Sequence, residues 1–338
     1  MTVPTAAWVR GLPKAQLHVH LEGCIPPALV LERARDTGRD DLARGVPDLS
    51  GGLGPFLAHL DRSCAVMDAA EHLERIAAHA SRTALAEGVV HTEAIVNPTH
   101  WPAWAGRLTE FVDAFDRGFA RAEAEGAPWT QLSLSIKRTQ STDEALALVR
   151  WIIDARHPRV GALSIDGNEA AEGRTADRFA PAFALAKEHG IPRTVHAGES
   201  SGPEGVLDAI TRLHAQRIDH GIRAIEDPDT VAFLVAQDPP IALDVCPRSN
   251  RVLGAAPVGT PHPAGALHDA GVRLTVGTDD PELFGSPLTS EYLALAEEFG
   301  WGRDVLAGLA RDSIEASFVD EETRQLYLDR LANYLDGA

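Results

Sequence analysis

Ala15-Gln16-Leu17-His18-Val19-His20 is the first of eight short runs rich in Val, Ile and Leu, and the residues after it decide the fold. No Gly-x-Gly-x-x-Gly turn follows it, so the phosphate cradle of a dinucleotide-binding sheet is missing. The remaining runs are Val89 to Val96, Gln131 to Lys137, Val160 to Ile165, Arg193 to His196, Arg217 to Asp219, Ile241 to Asp244 and Val272 to Val276. Longer stretches of helical period lie between them, among them Ala69 to Glu87, Leu108 to Glu125, Asp143 to Ala155, Arg178 to His189, Glu204 to Leu213 and Pro228 to Gln237. Short apolar strands alternating with helices make parallel strand-helix units. Eight such units in 338 residues predict an α/β fold closed as a (β/α)8 TIM barrel with extra helices, with an open doubly wound sheet as the competitor. No linker or composition shift divides the chain, so one domain over residues 9–336 is expected.

Composition narrows the partners. The 49 acidic and 31 basic side chains leave a formal charge of -18, which opposes phosphate backbones and anionic lipid surfaces. Neither nucleic acid nor a membrane is expected as a partner, and the pattern says nothing of oligomeric state. The three cysteines, Cys24, Cys64 and Cys246, form no Cys-x-x-Cys pair, which removes a disulfide framework and a cysteine zinc ribbon. With no apolar run of membrane-span length and no signal-peptide pattern, a cytoplasmic location is expected.

The candidate chemistry sits at four strand ends. His18-Val19-His20 places two imidazoles on one face of an extended chain, where both can reach one ion. The fifth run ends Val195-His196-Ala197-Gly198-Glu199, the sixth Asp219-His220-Gly221, and the eighth Thr278-Asp279-Asp280-Pro281. In a parallel barrel these segments emerge together at the carboxyl end, where sites of this fold are built. Three neutral nitrogens and a carboxylate suit a divalent ion, most simply Zn²⁺ with one open position. The other histidines, including His59, His72, His79, His189, His214 and His268, lie in helical stretches and are set aside.

These motifs, together with Leu17-His18-Val19-His20-Leu21-Glu22-Gly23, Asp166-Gly167-Asn168-Glu169 and Cys246-Pro247-Arg248-Ser249-Asn250, resemble in content and order those of the adenosine deaminase family of the amidohydrolase superfamily. The resemblance runs from Leu12 to about Leu331. It implies a hydrolytic deaminase in which His18, His20, His196 and Asp279 hold one Zn²⁺ per chain. Glu199, His220 and Asp279 are then the catalytic groups. Protonated Glu199 donates to N1 of a 6-aminopurine, and His220 orients water and stabilises developing charge at C6. The implied substrate contacts are Gly167 at N3, Asp280 at N7, His20, Glu22 toward the sugar, and Leu53, Phe56 and Leu57. The last three fall at helical spacing and resemble the family's short lid helix rather than a helix packed on the barrel wall.

Several neighbours have blander readings. Asp166 and Glu169 can cap the helix after the fourth strand, and Asp219 can be structural. Cys246 can pack as a small apolar side chain, Ser249 and Asn250 can fix a turn, and Lys137 and Arg138 can form buried ion pairs under the pocket.

Glu22 stands where nucleoside deaminases often carry Asp and is similar to the Glu of relatives acting on free adenine. Asn97-Pro98-Thr99-His100 points faintly the same way. Adenosine or a modified adenine nucleoside ranks first here and adenine second. A phosphorylated substrate has no evident clamp. A binuclear amidohydrolase is disfavoured because the fourth run ends Leu163-Ser164-Ile165-Asp166, without the lysine that bridges two metals in such relatives.

Overall fold

The computed structural model describes residues 3–46, 48–49 and 51–337. Its strands are β1 (Lys14–His20), β2 (Val89–Val96), β3 (Thr130–Lys137), β4 (Val160–Asp166), β5 (Thr194–Ala197), β6 (Arg217–His220), β7 (Ala242–Val245) and β8 (Leu274–Val276). They pair in parallel and in sequence order, β1 to β4 and β5 to β8. Two seams join the halves. Leu163 bridges Arg193 between β4 and β5, and Val19 bridges Asp279 just beyond β8. At the second seam His20 N–H donates to the Asp279 carbonyl at 2.8 Å, and Asp279 N–H to the His18 carbonyl at 3.1 Å. The sheet therefore closes on itself, as expected of a (β/α)8 barrel, and the closing bond lies at the end of β1 that carries the histidines.

Successive strand residues face opposite sides. Along β3, Leu132, Leu134 and Ile136 alternate with Ser133 and Ser135, all of them buried. The apolar set packs under the helices, and the small polar set leaves the interior room for charged side chains. Helices Ala70–Ala86 and Leu108–Glu123 make the tightest pair outside the strands. A Cβ on Gly118 would lie 2.3 Å from the Glu74 carbonyl oxygen, so only glycine permits that approach. Ser141 and Glu144 cap each other's backbone at the start of helix Thr142–Ala155, a start signal visible in the sequence.

The strand and helix expectations agree with these bounds to within a few residues. At the last strand, Val272 and Arg273 precede β8. Val272 N–H is taken by the Leu267 carbonyl at the end of helix Pro263–Asp269, which delays the sheet pairing. No helix among the described residues is long and apolar enough to cross a membrane.

Inside the barrel, Arg217 is wholly buried and meets Glu93, also wholly buried, at 2.8 Å. It donates as well to the carbonyls of Ala316 at 3.2 Å and Leu17 at 3.3 Å. Removing one partner strands a buried charge, which costs more than removing both. Arg217→Met is expected to lower unfolding free energy by about 3–5 kcal/mol, and Glu93→Leu added to it to recover part of that loss, both read from urea denaturation midpoints.

Candidate active site

The residues that the sequence nominates meet at the carboxyl ends of the strands. His20, Glu22, Leu53, Phe56, Leu57, Gly167, His196, Glu199, His220, Asp279 and Asp280 line a single cavity, with His18 buried beneath it. β1 delivers His18 and His20, two residues apart on one face. β5 delivers His196, and the seam after β8 delivers Asp279.

Asp279 Oδ1 lies 3.4 Å from Nε2 of both His18 and His20, and His20 Nε2 lies 3.0 Å from His196 Nε2. One ligand atom from each of His18, His196, His220 and Asp279 also falls within 4.8 Å of the others. Five donors therefore converge, one more than the expected set of four. His18 Nε2 is buried 3.4 Å from Asp279 Oδ1; burial lowers the ring, but the Asp279 contact and the nearby carboxylates push it up to about 9, so that nitrogen holds a proton where a divalent cation could take its place.

Four of the five donors are held from behind. Asp219 Oδ2 is 3.2 Å from His196 Nδ1, Cys246 Sγ is 3.4 Å from His18 Nδ1, and Ser249 Oγ donates to Asp279 Oδ2 at 2.5 Å. Asn250 Nδ2 is 3.1 Å from His220 Nδ1. Asp219 thus supports a ring, as its structural reading implied. Cys246, Ser249 and Asn250 do more than pack or turn the chain, because the helical turn Pro247–Val252 folds them back onto the site.

Electrostatics divide the groups by protonation. Burial pulls His20 down to about 4 and His220 well below the usual imidazole range, so both rings are neutral near pH 7. Burial alone would raise the Asp279 carboxyl. Its contact with His18 and the charge on that ring outweigh burial and hold it well below the ordinary range. Glu199 goes the other way. Burial first, then the charges of Asp279 and Glu169, push its carboxyl up to about 8, which keeps it a proton donor at neutral pH. Its Oε1 is buried with no hydrogen-bond partner.

Glu169 and Asp166 depart from the capping expectation. Asn168, not Glu169, caps the short helix Glu169–Glu172. Glu169 instead accepts backbone N–H groups of Gly198 at 3.2 Å, Glu199 at 3.0 Å, Ser200 at 3.1 Å and Ser201 at 3.2 Å, with the Ser201 hydroxyl at 2.6 Å. It moulds the loop that carries Glu199. Asp166 Oδ1 accepts from Asn97 Nδ2 at 2.7 Å, which ties the ends of β2 and β4 together. Arg138 is buried as expected, 3.7 Å from Glu169, whereas Lys137 is partly exposed and 3.4 Å from Asp61.

Two backbone features mark the site. His220 and Asp279 have φ of 68° and 59°, in the left-handed region that side chains other than glycine's seldom adopt. At Gly23 a Cβ would lie 2.3 Å from Asp280 Cα, so this glycine lets the turn carrying Glu22 rest on the Asp280 backbone.

The lid stretch is a helix, Leu53–Ala65. Phe56 is buried and stacks on Phe284 with ring centroids 5.2 Å apart, while Leu53 and Leu57 are half-buried against the cavity. One turn on, Asp61 hydrogen-bonds His100 Nδ1 and pairs with Lys137. His100 lines the cavity as well, and neither it nor Asp61 was singled out as a site residue in the sequence. No local motif joins them. They meet because helix Leu53–Ala65 crosses the end of β2.

The adenosine deaminase family model matches residues 13–334. An adenine deaminase of Rhizobium leguminosarum bv. trifolii is 34% identical over 322 residues, covering 95% of this chain and 99% of that protein. The crystal structure of adenine deaminase from Arthrobacter aurescens superposes with a TM-score of 0.86 at 28% identity, over 96% of this chain and 99% of that one. An amidohydrolase from Burkholderia ambifaria, with bound Zn, gives 0.88 at 25% identity, over 100% and 96%. A match spanning nearly every element of the barrel, on a chain whose histidines and carboxylates converge at one strand end, leaves no separate assignment to make for fold and chemistry: this chain belongs to the adenosine deaminase family, TIM-barrel hydrolases that act on the cyclic amidine C–N bond of aminopurines.

Proposed function

We propose that the chain is a zinc-dependent hydrolytic deaminase of free adenine, releasing hypoxanthine and ammonia. His18, His20, His196 and Asp279 would hold one ion. Bound there, it would supply Lewis acidity that makes water a nucleophile near neutral pH. The donor set, the buried His18 Nε2 facing Asp279 and the zinc in the Burkholderia relative support that choice.

The remaining chemistry belongs to the side chains. Glu199, protonated, donates to N1 and weakens the ring bond order at C6. His220 orients the attacking oxygen, Asp280 and the Gly167 N–H hold the N7 and N3 edges, and the C6–N6 bond breaks as ammonia leaves. The lid residues Leu53, Phe56 and Leu57 exclude bulk water, which strengthens each of these interactions. β4 carries Ser164 and Asp166 and no lysine, which favours one ion over two.

One observation carries the choice of free base, and it reverses the order in which the sequence ranks the substrates. Glu22 is buried, and its Oε1 is fixed by the Asn97 N–H and the Trp101 indole N–H, each at 2.8 Å. Its Oε2, also buried, has no protein partner. A carboxyl oxygen pinned in this way at the cavity wall calls for a donor from the substrate, and free adenine offers one at N9. In a nucleoside N9 carries the sugar. The adenine deaminases among the relatives agree with this reading.

Five outcomes test the proposal. Metal analysis of the purified protein is expected to give about one zinc per chain, and two would restore the binuclear alternative. Glu199→Gln should keep the metal yet lose turnover on the order of 10²–10⁴-fold. Since burial raises Glu199, kcat/KM of the native enzyme should hold at lower pH and decline as the acid deprotonates above about pH 8, a limb that disappears in the Gln variant.

In an ammonia-release screen, adenine should be turned over in preference to adenosine, adenosine monophosphate and 9-methyladenine. Preference for a nucleoside would sink the free-base assignment. If the lid is latched by Asp61, Asp61→Ala should raise KM by up to about fivefold, the equivalent of ~1 kcal/mol, in steady-state kinetics.

A further inference from the structure

A chain of hydrogen bonds runs from His220 away from the cavity and ends on a backbone amide. Asn250 Nδ2 is 3.1 Å from His220 Nδ1, His262 Nε2 is 3.2 Å from Asn250 Oδ1, and the Ala264 N–H donates to His262 Nδ1 at 3.1 Å. His220, Asn250 and His262 are all buried.

The fixed donor at the far end determines every proton between. A backbone N–H can only donate, so His262 Nδ1 carries no hydrogen. The neutral ring must then bear its proton on Nε2, where it can donate only to an oxygen. That turns the Asn250 amide so that its NH₂ group faces His220. His220 Nδ1 therefore accepts, and the single proton of that ring sits on Nε2. This nitrogen points into the site, 3.8 Å from Glu199 Oε1 and 4.0 Å from Asp279 Oδ2. Burial and the nearby Arg251 charge lower His262 to about 4, which keeps the relay in its neutral form near pH 7.

We infer that Asn250 and His262 are positioning residues whose relay, anchored on the Ala264 N–H, fixes His220 as an Nε2–H donor and so keeps it out of the metal's ligand set. The five converging donors give this a consequence. His220 lies within 4.8 Å of His18, His196 and Asp279 and would complete a tetrahedral set as well as His20 does, were its Nε2 lone pair free. The relay removes that lone pair and leaves a hydrogen-bond donor beside the reacting C6. The inference rests on the proposed deaminase reading only for the use made of that donor.

Histidine ¹⁵N NMR of the zinc-loaded protein tests it without substrate. His220 and His262 are both expected as Nε2–H tautomers, and an Nδ1–H tautomer at His220 overturns the inference. Asn250→Asp should draw the His220 proton to Nδ1. It should shift the visible absorption of the cobalt-substituted protein as Nε2 joins the ion, and lower kcat on the order of 100-fold.

His262→Leu should lower kcat about tenfold with little change in KM, and His262→Gln, which restores a donor at the same reach, should regain most of it. An unchanged tautomer and an unchanged kcat in these variants overturn the relay. Should Asn250→Asp not fold, the native spectrum and the two His262 variants decide. The expected tautomers in a protein that deaminates no aminopurine would sink the proposed function and leave the relay standing.

Discussion

Five imidazole and carboxylate groups share the mouth of the barrel within touching distance, all of them buried. Such a cluster is costly unless every member is oriented and its protonation fixed, because an unpaired polar group in a low-dielectric interior is expensive. The chain meets this demand for four of the five by giving each a different rear partner: Asp219 for His196, Cys246 for His18, Ser249 for Asp279, Asn250 for His220. These partners come from β6 and from the turn after β7, so the geometry of the site depends on barrel closure as much as on the ligands. The bond between His20 N–H and the Asp279 carbonyl is at once a sheet contact and a constraint on two proposed ligands.

The far end of the cavity follows a different logic. There a carboxyl oxygen of Glu22 is left without a partner although its sibling oxygen is tightly held. Unsatisfied buried acceptors are uncommon in folded proteins, and they are tolerated where a ligand completes them. Glu199 is served in a related way from outside the pocket. Glu169 gathers the backbone of residues 198–201 around its own carboxylate, which shapes the loop, and its negative charge helps keep Glu199 protonated. One side chain thus positions the proposed acid and adds to the burial and the Asp279 charge that keep it protonated.

The barrel was legible because its cause is local: runs of period two alternating with runs of helical period, with His18 and His20 two apart on a strand. The converging donors were legible because parallel strands bring all their carboxyl ends to one face. What escaped is what depends on reach across the mouth. Glu169 reads as part of a helix start because it follows Asp166-Gly167-Asn168 at the end of a strand, and nothing in its own segment shows that the β5 loop folds over it. Asp61 and His100 are 39 positions apart and meet only where the lid lies. His262 stands in an ordinary helix-start context and acts through Asn250, a residue whose neighbours in sequence suggest only a turn. Trp101, whose indole N–H pins Glu22 from a loop 79 residues away, bears on the proposed choice of base over nucleoside, and nothing beside Glu22 in the sequence shows that contact.

His220 and Asp279 occupy left-handed backbone that the chain would not choose for them, at a cost of about 1 kcal/mol or more each. Reactivity and durability therefore pull against one another at these two positions. A glycine at 220, or an asparagine at 279, would relax the main chain while silencing the chemistry. Main-chain relief at these two positions is therefore open only to a barrel that gives up the proposed chemistry, and the buried contacts of both side chains would go with it.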